Sequence, residues 1–290
     1  MKTILISGAT GFLGSNIANK LFTLRKKVLV IKRSFSDTSR INHFLQKDNH
    51  INIDEEDLEK IFVDNKIDTI IHTACNYGRQ GESIEDLYRD NVSFGKALLK
   101  NAIDHKCNCF LNTDTSLPAE LNNYSRTKKD FLNILIKYTD EIKVINLRLE
   151  HMYGPEDGGK FLGWLIDQFL EKKESIPLTK GEQLRDFIHI DDVVSAYLIV
   201  LEKKHSLSNY SNFDIGTGNL VTIKEFVTLL KILFDENVFK SKTNLDFGKL
   251  EYRKDELMEA KIDNSKIFSL GWKPRYNLEN GLKEILRNLQ

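Results

Sequence analysis

Tyr124 and Lys128 stand four positions apart in a stretch whose pattern predicts a helix over 124–137. A spacing of four places both side chains on one helix face, one turn apart. A free phenol has a pKa of about 10, too high for efficient proton exchange near neutrality, and a neighbouring ammonium lowers it. The pair therefore predicts a phenol that acts as acid or base. Because many amphipathic helices show the same spacing, a structural role for the pair alone stays open.

A segment with hydroxyl groups precedes this helix. Thr113, Asp114 and Thr115 follow an apolar run that ends at Asn112 and is typical of a buried strand. Ligands of open α/β sheets bind at the carboxyl ends of the strands, so these side chains are expected at such an edge. A hydroxyl there can hold a reacting carbonyl group.

Three glycines connect the first apolar run, Ile4 to Ser7, to a helical pattern over 15–24. Glycines at this spacing allow a tight turn, a close approach of the backbone to a pyrophosphate and close packing of helix on strand. The phosphate then meets free N–H groups at the helix N-terminus. A tight turn without a ligand is the alternative, which the position between first strand and first helix disfavours. The residues expected to contact a dinucleotide here are Gly8, Thr10, Gly11, Phe12, Leu13 and Gly14.

The end of the second apolar run indicates which dinucleotide is preferred. NAD sites usually carry an acidic residue there for the ribose hydroxyls, whereas a cation suits the 2′-phosphate of NADP. This chain has Lys32, Arg33 and Ser34, and neither Asp nor Glu at that turn. Two cations beside a hydroxyl can neutralise a phosphate monoester, so NADP(H) is predicted over NAD(H). An ordinary solvated basic turn is the alternative.

Short apolar runs alternate with helical patterns through the first half of the chain, which is the signature of βαβ units. This predicts an α/β fold, a Rossmann-type doubly wound parallel sheet with a smaller mixed α/β substrate-binding lobe. The expected dinucleotide-binding domain covers 1–152 with a return segment around 185–215, and 153–290 form mainly the substrate lobe. The predicted strands are Ile4 to Ser7, Val28 to Ile31, Ile67 to His72, Cys109 to Asn112 and Val144 to Leu147.

Charge and composition exclude several kinds of partner. The 290 residues contain 42 Lys+Arg and 42 Asp+Glu, so no global basic field is available for nucleic acid or an anionic membrane. No apolar run approaches the roughly 18 residues of a membrane span, and no signal peptide is apparent. We therefore expect a cytoplasmic protein that binds anionic ligands only locally.

The side chains that bind metals are not grouped in this sequence. Cys75, Cys107 and Cys109 lack zinc-type spacing, which favours reduced packing residues. Asp191 and Asp192 have no further carboxylate or histidine cluster beside them. No metal site is predicted.

Taken together, these motifs resemble the extended short-chain dehydrogenase/reductase family, the epimerases, dehydratases and reductases of nucleotide sugars. The resemblance covers nearly the whole chain. Besides the glycine loop and the Tyr/Lys pair it rests on Ile71-His72-Thr73-Ala74, Asn91-Val92, Leu147-Arg148, Tyr153-Gly154-Pro155, the run from Arg185 to Val193, and Leu270-Gly271-Trp272-Lys273-Pro274.

The resemblance implies roles for individual residues. Thr113 would take the Ser/Thr position of the catalytic triad beside Tyr124 and Lys128, and Lys128 would also hold the nicotinamide ribose. Thr73 and Ala74 would line the cofactor groove. An oxidised nicotinamide, being cationic, would lower the pKa of the phenol further. A homodimer formed through a four-helix bundle that includes the Tyr124 helix is also implied.

Departures from the family pattern narrow the expected activity. Dehydratases of the family carry Thr-Asp-Glu at the strand end, where the two carboxyl groups are the acid and base of water elimination. Thr115 replaces the Glu here, so dehydration is disfavoured. The short interval between Thr113 and Tyr124, and the run from His72 to Arg79, are most similar to the reductases that make CDP-abequose and CDP-paratose.

A nucleoside-diphosphate sugar requires cations and polar groups in the second lobe. Arg185 falls where the family contacts the diphosphate, with an ion pair to Asp186 or Asp191 as the alternative. Arg253 is a second candidate, which a solvated role fits equally well, and His151 could equally be a packed residue. The full set expected to bind substrate is Thr115, His151, Lys160, Phe161, Arg185 and Arg253.

The leading hypothesis is an NADPH-dependent reductase of a nucleoside-diphosphate-linked 4-keto-6-deoxy sugar, with Tyr124 as the acid. A 4-epimerase that retains its cofactor would use the same residues. From a different class, a non-catalytic NADP(H)-binding regulator could share the scaffold, although such a protein has no need of an activated phenol.

Overall fold

The computed structural model describes residues 2–157, 161–259 and 262–289. The chain divides into two compact units. The first contains Met1–Leu149 and Val194–Asp214, and the second contains Glu150–Val193 and Ile215–Gln290. Lys160, one of the predicted substrate residues, lies outside the described residues.

Strands and helices alternate through the first unit, and shorter strands follow in the second. The strands are β1 (Thr3–Ser7), β2 (Lys27–Lys32), β3 (His50–Asn52), β4 (Ile67–His72), β5 (Cys109–Thr115), β6 (Lys143–Leu149), β7 (His151–Tyr153), β8 (Ser175–Leu178), β9 (Leu184–His189), β10 (Tyr210–Ile215), β11 (Leu220–Thr222) and β12 (Asn244–Phe247). The helices are α1 (Phe12–Thr23), α2 (Leu58–Asp64), α3 (Ile84–Tyr88), α4 (Phe94–Asp104), α5 (Asn123–Ile136), α6 (Phe161–Leu170), α7 (Ile190–Lys203), α8 (Ile223–Asn237), α9 (Ser265–Ser269) and α10 (Leu278–Arg287), with a π-helical segment at Arg89–Ser93 and a 3₁₀ turn at Lys204–Ser206.

The central sheet has seven strands in the order β10-β6-β5-β4-β1-β2-β3. The pairings from β6 through β3 are parallel. The chain first builds outward from β1 to β3 and then in the opposite direction from β4, so the strand order reverses between β1 and β4. Ligands of doubly wound sheets bind beside the carboxyl ends of the strands at such a reversal.

The central strands are apolar because helices cover both faces of the sheet. Every residue of β4 is buried. Leu5, Ile70, Phe110 and Val144 lie in one core cluster, where helix residues such as Phe131 pack against them. The predicted parallel α/β fold is therefore confirmed.

The second unit has its own sheets and core. β9 pairs with β11 in antiparallel and with β7 in parallel orientation, and β8 pairs with β12 in parallel. Phe169, Phe226, Leu230 and Phe234 are buried in its core. In the described part of the chain, no helix combines the length and the apolar character that a bilayer crossing demands.

A buried ion pair ties two distant segments of the first unit together. The ammonium of Lys204 lies 2.5 Å from the carboxylate of Asp68, and both residues are 7% exposed. Thr69 and Asn108 donate further hydrogen bonds to the same carboxylate. These contacts hold the pKa of Asp68 well below its usual range, although burial alone would raise it.

Lys204→Met should lower the free energy of unfolding by about 3 kcal/mol at pH 7, because it leaves a buried carboxylate without its main counter-charge. The pKa of Asp68 is lower in the folded state, so this contribution is present above about pH 4 and is lost as the pH falls. Urea denaturation at several pH values measures it. The exposed neighbour is the control, since Lys203→Met should cost less than about 0.5 kcal/mol; equal losses in both variants would contradict the assignment.

Candidate active site

The turn between β1 and α1 is shaped by contacts that only glycine allows. Gly8 has a φ of +76°, and a Cβ placed on it would lie 2.5 Å from the backbone nitrogen of Ala74. A Cβ on Gly14 would collide with the carbonyl oxygen of Gly8. Thr73 fixes the adjoining end of β4, because its hydroxyl and its N–H both donate to the carbonyl of Ser7.

The N-terminus of α1 opens directly on this turn. Gly11 is the N-cap residue, and among the described residues no side chain caps the helix. Phe12 and Leu13 lie in this first turn, which therefore begins without a side-chain cap from Gly11. A backbone cradle without side chains and an uncapped helix end fit a pyrophosphate.

The turn after β2 differs from the prediction because an acidic residue lies beside it. The side-chain carboxylate of Asp54, which follows β3, accepts hydrogen bonds from the N–H and hydroxyl of Ser34 at 2.7 and 2.6 Å. The ammonium of Lys32 donates to Asn52 at 2.7 Å, and the guanidinium of Arg33 lies 4.9 Å from the ring centroid of Phe35. The expectation that no acidic residue stands at this turn was wrong, because β3 pairs with β2 and delivers one from 20 positions downstream.

Helix α5 begins with a reciprocal cap. The Asn122 side chain accepts the N–H of Ser125, and the Ser125 hydroxyl accepts the N–H of Asn122. Such capping boxes fix the first turn of a helix. Tyr124 lies in this first turn, and Lys128 lies one turn further on. The predicted helix and the placement of the two side chains along it agree with the structure.

The surroundings of Tyr124 favour the protonated form of its phenol. Burial raises its pKa well above the usual value, the Asp114 carboxylate adds to the increase, and the Arg79 guanidinium opposes it. Without a cofactor, the pKa of Tyr124 is thus raised and not lowered, and the positive charge that opposes the increase is that of Arg79. The predicted effect of a cationic nicotinamide stays a prediction.

The side chain of Lys128 is buried, which is unusual for a lysine. Lys128 is 2% exposed, and no hydrogen-bond acceptor for it is found among residues 2–157, 161–259 and 262–289. Burial lowers its pKa, whereas the Asp114 carboxylate nearby raises it. An ammonium in this position is a donor that the hydroxyl groups of a ligand could accept from.

The hydroxyl of Thr113 is held by a residue that sequence spacing did not indicate. It lies 2.6 Å from the phenol oxygen of Tyr197, a fully buried residue of α7. Burial raises the pKa of Tyr197, so this phenol is a stable hydrogen-bond partner at neutral pH. Tyr197 thus orients the hydroxyl of Thr113 at the carboxyl end of β5.

Asp114 lies beside Thr113 in a buried polar network. Its carboxylate accepts hydrogen bonds from Lys129 at 2.8 Å and from the amide of Asn146 at 3.2 Å, and it also accepts the N–H of Thr115. Asn146 is bonded in turn to Asn112 on the neighbouring strand. Asp114 is 2% exposed, and these contacts connect the end of β5 to α5 and β6.

The loop after β4 is tied to the helix that carries Tyr124. Asn91, fully buried in the π-helical segment, accepts the N–H of Asn76 and donates to its carbonyl. The same Asn91 amide donates to the hydroxyl of Thr127, which donates to the carbonyl of Tyr124. The π-helical turn is a local departure of the kind often found at functional sites.

Two residues of this loop adjoin the catalytic phenol and were not among the predicted site residues. The ring of Tyr77 lies 4.9 Å from that of Tyr124, centroid to centroid. The guanidinium of Arg79 lies 5.0 Å from the centroid of Tyr77. Both belong to the run His72–Arg79 on which the family resemblance partly rests, and this membership was the one signal in the sequence that pointed to them.

The predicted substrate residues of the second unit have varied surroundings. Arg185 is 8% exposed and forms an ion pair with Glu256 at 2.9 Å. The alternative to phosphate binding was an ion pair with Asp186 or Asp191, and the observed partner is neither of these. Asp186 instead accepts hydrogen bonds from Thr217 and Gly218.

The remaining predicted substrate residues differ in exposure. Arg253 is exposed, whereas Thr115 is 8% exposed at the end of β5 in the first unit. His151 lies 3.3 Å from the buried carboxylate of Glu150. Phe161 is 38% exposed and stacks against Trp164.

The cysteines fall into two groups. Cys107 and Cys109 are buried, and burial raises the pKa of each thiol to about 12. They are packing residues, as predicted. Cys75 is only half-buried and lies near both Tyr124 and Lys128. It therefore belongs to the surroundings of the site and is not a simple packing residue.

The fold and the site define a Rossmann-type α/β protein with a glycine-lined helix N-terminus and a Tyr/Lys pair on the helix that follows β5. The model of the NAD dependent epimerase/dehydratase family matches residues 4–216. The chain belongs to this family.

Relatives match over nearly the full length. The chain is 33% identical to CDP-abequose synthase from Salmonella typhimurium, covering 99% of this chain and 98% of the relative. It is 25% identical to a putative UDP-glucose 4-epimerase from Methanocaldococcus jannaschii, covering 98% and 97%.

Solved structures show the same fold. UDP-glucose 4-epimerase from Thermotoga maritima with UDP-glucose has a TM-score of 0.84 at 24% identity, covering 99% of this chain and 98% of the other. UDP-glucuronic acid 4-epimerase from Bacillus cereus in complex with UDP-glucuronic acid and NAD also has a TM-score of 0.84 at 24% identity, covering 99% and 100%.

Gly14→Ala should destabilise the protein by about 2–3 kcal/mol, because its Cβ must displace the Gly8 backbone. Gly11→Ala is the matched control in the same loop. Its Cβ would lie 3.3 Å from the Gly8 oxygen, and it should cost about 1 kcal/mol or less. Chemical denaturation of both variants without ligand measures the difference, and equal losses would contradict the close approach as the reason for Gly14.

Proposed function

We propose that this protein is an NADPH-dependent reductase of a 4-keto-6-deoxy sugar carried on a nucleoside diphosphate, with CDP as the favoured nucleotide. The observation that carries the proposal is the pair on α5, the half-buried phenol of Tyr124 with its raised pKa and the buried Lys128 one turn further on. The full-length similarity to a CDP-abequose synthase supports the substrate class.

The residues of the first unit suit a nicotinamide dinucleotide. The loop Gly8, Thr10, Gly11 and the first turn of α1 would bind the pyrophosphate, and Thr73 and Ala74 would line its groove. Lys128 would donate hydrogen bonds to the hydroxyl groups of the nicotinamide ribose. When bound, the cofactor supplies the hydride that reduces the carbonyl carbon of the sugar.

The protein's contribution to the reaction is proton donation and orientation. Tyr124 would give its proton to the carbonyl oxygen as negative charge develops there. Its raised pKa keeps the phenol protonated before the reaction but also makes it a weaker acid, so nearby positive charge must favour the phenolate that remains after donation. The hydroxyl of Thr113, oriented by Tyr197, would donate to the same oxygen, and the Lys128 ammonium would stabilise the phenolate that remains.

The proposed preference for NADP(H) rests on Lys32, Arg33 and Ser34. Asp54 opposes this preference. Arg33 makes no hydrogen bond through its guanidinium among the described residues, so it is free to bind a phosphate oxygen pair. Ser34 offers an N–H and a hydroxyl, but Asp54 accepts both. A 2′-phosphate must compete with this carboxylate, so Asp54 weakens the preference that Arg33 creates.

Asp54→Asn should raise the affinity for NADPH relative to NADH about threefold to tenfold, because it removes a negative charge while keeping a hydrogen-bond acceptor for Ser34. Arg33→Ala should shift the ratio in the opposite direction. Fluorescence titration with both cofactors at low and high salt measures the ratio, and the effects should shrink at high salt. An unchanged ratio in both variants would show that this turn does not select the cofactor.

Residues of the second unit are proposed to bind the nucleotide sugar. Arg185 is the main candidate for the diphosphate, and Glu256 is the carboxylate it would exchange for phosphate. His151, Phe161 and Arg253 are further candidates, and Lys160 is proposed from the sequence alone. Thr115, in the first unit, is proposed to face the sugar, and its lack of a carboxyl group disfavours dehydration.

A 4-epimerase is the second candidate, favoured by the full-length matches to UDP-glucose 4-epimerases. The two activities differ in their use of cofactor. A reductase oxidises one NADPH for each sugar that it reduces and then releases the oxidised cofactor. An epimerase retains its cofactor, so the absorbance shows no net change. Recording NADPH absorbance with a CDP-linked 4-keto-6-deoxy sugar tests the proposal. Inversion at C4 of a 4-hydroxy sugar nucleotide without net change in absorbance would favour the epimerase.

Two further expectations stay predictions. A cytoplasmic location follows from the sequence, and the family resemblance implies a homodimer built on α5. The exposed Ile136 at the end of this helix is a candidate contact for a second copy.

Tyr124→Phe should lower turnover about 10²–10³-fold, because the proton donor is lost while the ring is kept. NADPH binding and the unfolding free energy should change little. Tyr138→Phe, beyond the end of the same helix, is the control and should keep full activity. Steady-state kinetics with NADPH test both, and wild-type turnover by Tyr124→Phe would remove the phenol from the mechanism.

A further inference from the structure

The loop after β4 presents an aromatic ring and a cation to the catalytic phenol. The Tyr77 and Tyr124 rings meet at 4.9 Å with an interplanar angle of 34°. The guanidinium of Arg79 lies 5.0 Å from the Tyr77 centroid, within the range of a cation–π contact. Tyr77 is 41% exposed, although a large aromatic ring is usually more buried. The loop thus places an exposed ring beside Tyr124, the residue that is proposed to donate the proton.

This loop has a fixed geometry. Gly78 has a φ of +67°, and its N–H donates to the side chain of Asn76. The hydrogen bonds of Asn91 then connect Asn76 to Thr127, one turn from Tyr124 on α5. A loop without a function in the site would not need a buried amide to couple it to the catalytic helix.

We propose that Tyr77 and Arg79 form a positioning pair for the catalytic phenol, in which the Tyr77 ring fixes the orientation of the Tyr124 ring and Arg79 holds Tyr77 and brings positive charge to the site. Two staggered aromatic rings have a preferred geometry, worth about 0.5–1.5 kcal/mol beyond their buried area. A phenol restrained in this way points its O–H in a limited range of directions. Because donation depends on alignment, small rotations of the ring are costly.

Electrostatics give the pair a second effect. The groups that face Tyr124 come from its own helix, from β5 and from the loop, and they are Lys128, Asp114, Cys75, Tyr77 and Arg79. Of these, Arg79 lowers the pKa of Tyr124, whereas Tyr77 and Asp114 raise it. Arg79 is therefore the group of this loop that opposes the effect of burial.

This inference rests on the proposed reductase function for its kinetic test. Tyr77→Ala should lower kcat about tenfold to a hundredfold with a smaller change in KM for the sugar, because alignment is lost and binding is not. Tyr77→Phe keeps the ring and should restore kcat to within about twofold. A merely structural role would not separate kcat from KM in this way.

Arg79→Gln tests the cation. It should lower kcat less than Tyr77→Ala does, and it should shift the basic limb of the kcat–pH profile to higher pH, because the Tyr124 pKa rises when the positive charge is removed. Arg79→Lys should restore the profile. Lys137→Gln is the matched control, since it removes an exposed cation at the far end of the same helix, about 20 Å away, and should leave kcat and the profile unchanged.

A measurement without substrate separates this inference from the proposed function. Incorporation of 3-fluorotyrosine at position 124 of the full chain makes the phenol more acidic and allows fluorine NMR to follow its titration and ring motion. Tyr77→Ala should shift and broaden the signal, and Tyr77→Phe should leave it in place. Arg79→Gln should raise the titration midpoint by a measurable fraction of a pH unit, and Lys137→Gln should not.

The outcomes are distinguishable. If wild-type protein oxidises no NADPH with any 4-keto sugar nucleotide, while the fluorine signal responds as described, the proposed function is wrong and the pairing of Tyr77 with Tyr124 stands. If the signal and its midpoint are the same in Tyr77→Ala, Arg79→Gln and wild type, the positioning pair is overturned, whatever the activity.

Discussion

Desolvation of two ionisable groups on one helix face is the constraint on which the chemistry of this protein depends. Desolvation opposes charge on both groups, so it raises the pKa of Tyr124 and lowers that of Lys128. The result is a phenol that holds its proton and an ammonium that hydrogen-bond acceptors of a ligand would stabilise. An exposed pair at the same spacing would have neither property, because water would satisfy the ammonium and reduce the influence of each neighbouring charge.

The surrounding fold brings the other polar groups of the site close to Tyr124 and orients them, which burial alone does not do. Parallel strands end together at one edge of the sheet, so Thr113 and Asp114 on β5 lie near the loop after β4 and the start of α5. Lys129 and Asn146 donate hydrogen bonds to Asp114 and so hold its carboxylate in place beside Thr113. Asn91 and Tyr197 have comparable roles, since each fixes a neighbouring residue through a buried hydrogen bond.

Periodicity predicted the long elements well because burial determines both pattern and structure. The five predicted strands all exist, and α5 begins within a residue of its expected start. Strand β3 was missed because its three residues are half-buried and carry no apolar run. That omission caused the error at Ser34, since Asp54 reaches this turn only through the pairing of β3 with β2. The pKa of Tyr124 was misjudged for a related reason: spacing along a helix shows which charges are near, but not how far water is excluded.

The central claim is that the phenol of Tyr124 and the ammonium of Lys128 on α5 serve the reduction of a sugar carbonyl. It is tested most directly by incubating the protein with NADPH that carries deuterium at the transferred position and a CDP-linked 4-keto-6-deoxy sugar, then locating the label by NMR. One deuterium at C4 of the released sugar for each NADPH oxidised is the predicted result. Oxidation without label at C4, or no oxidation of NADPH with this class of substrate, would contradict it.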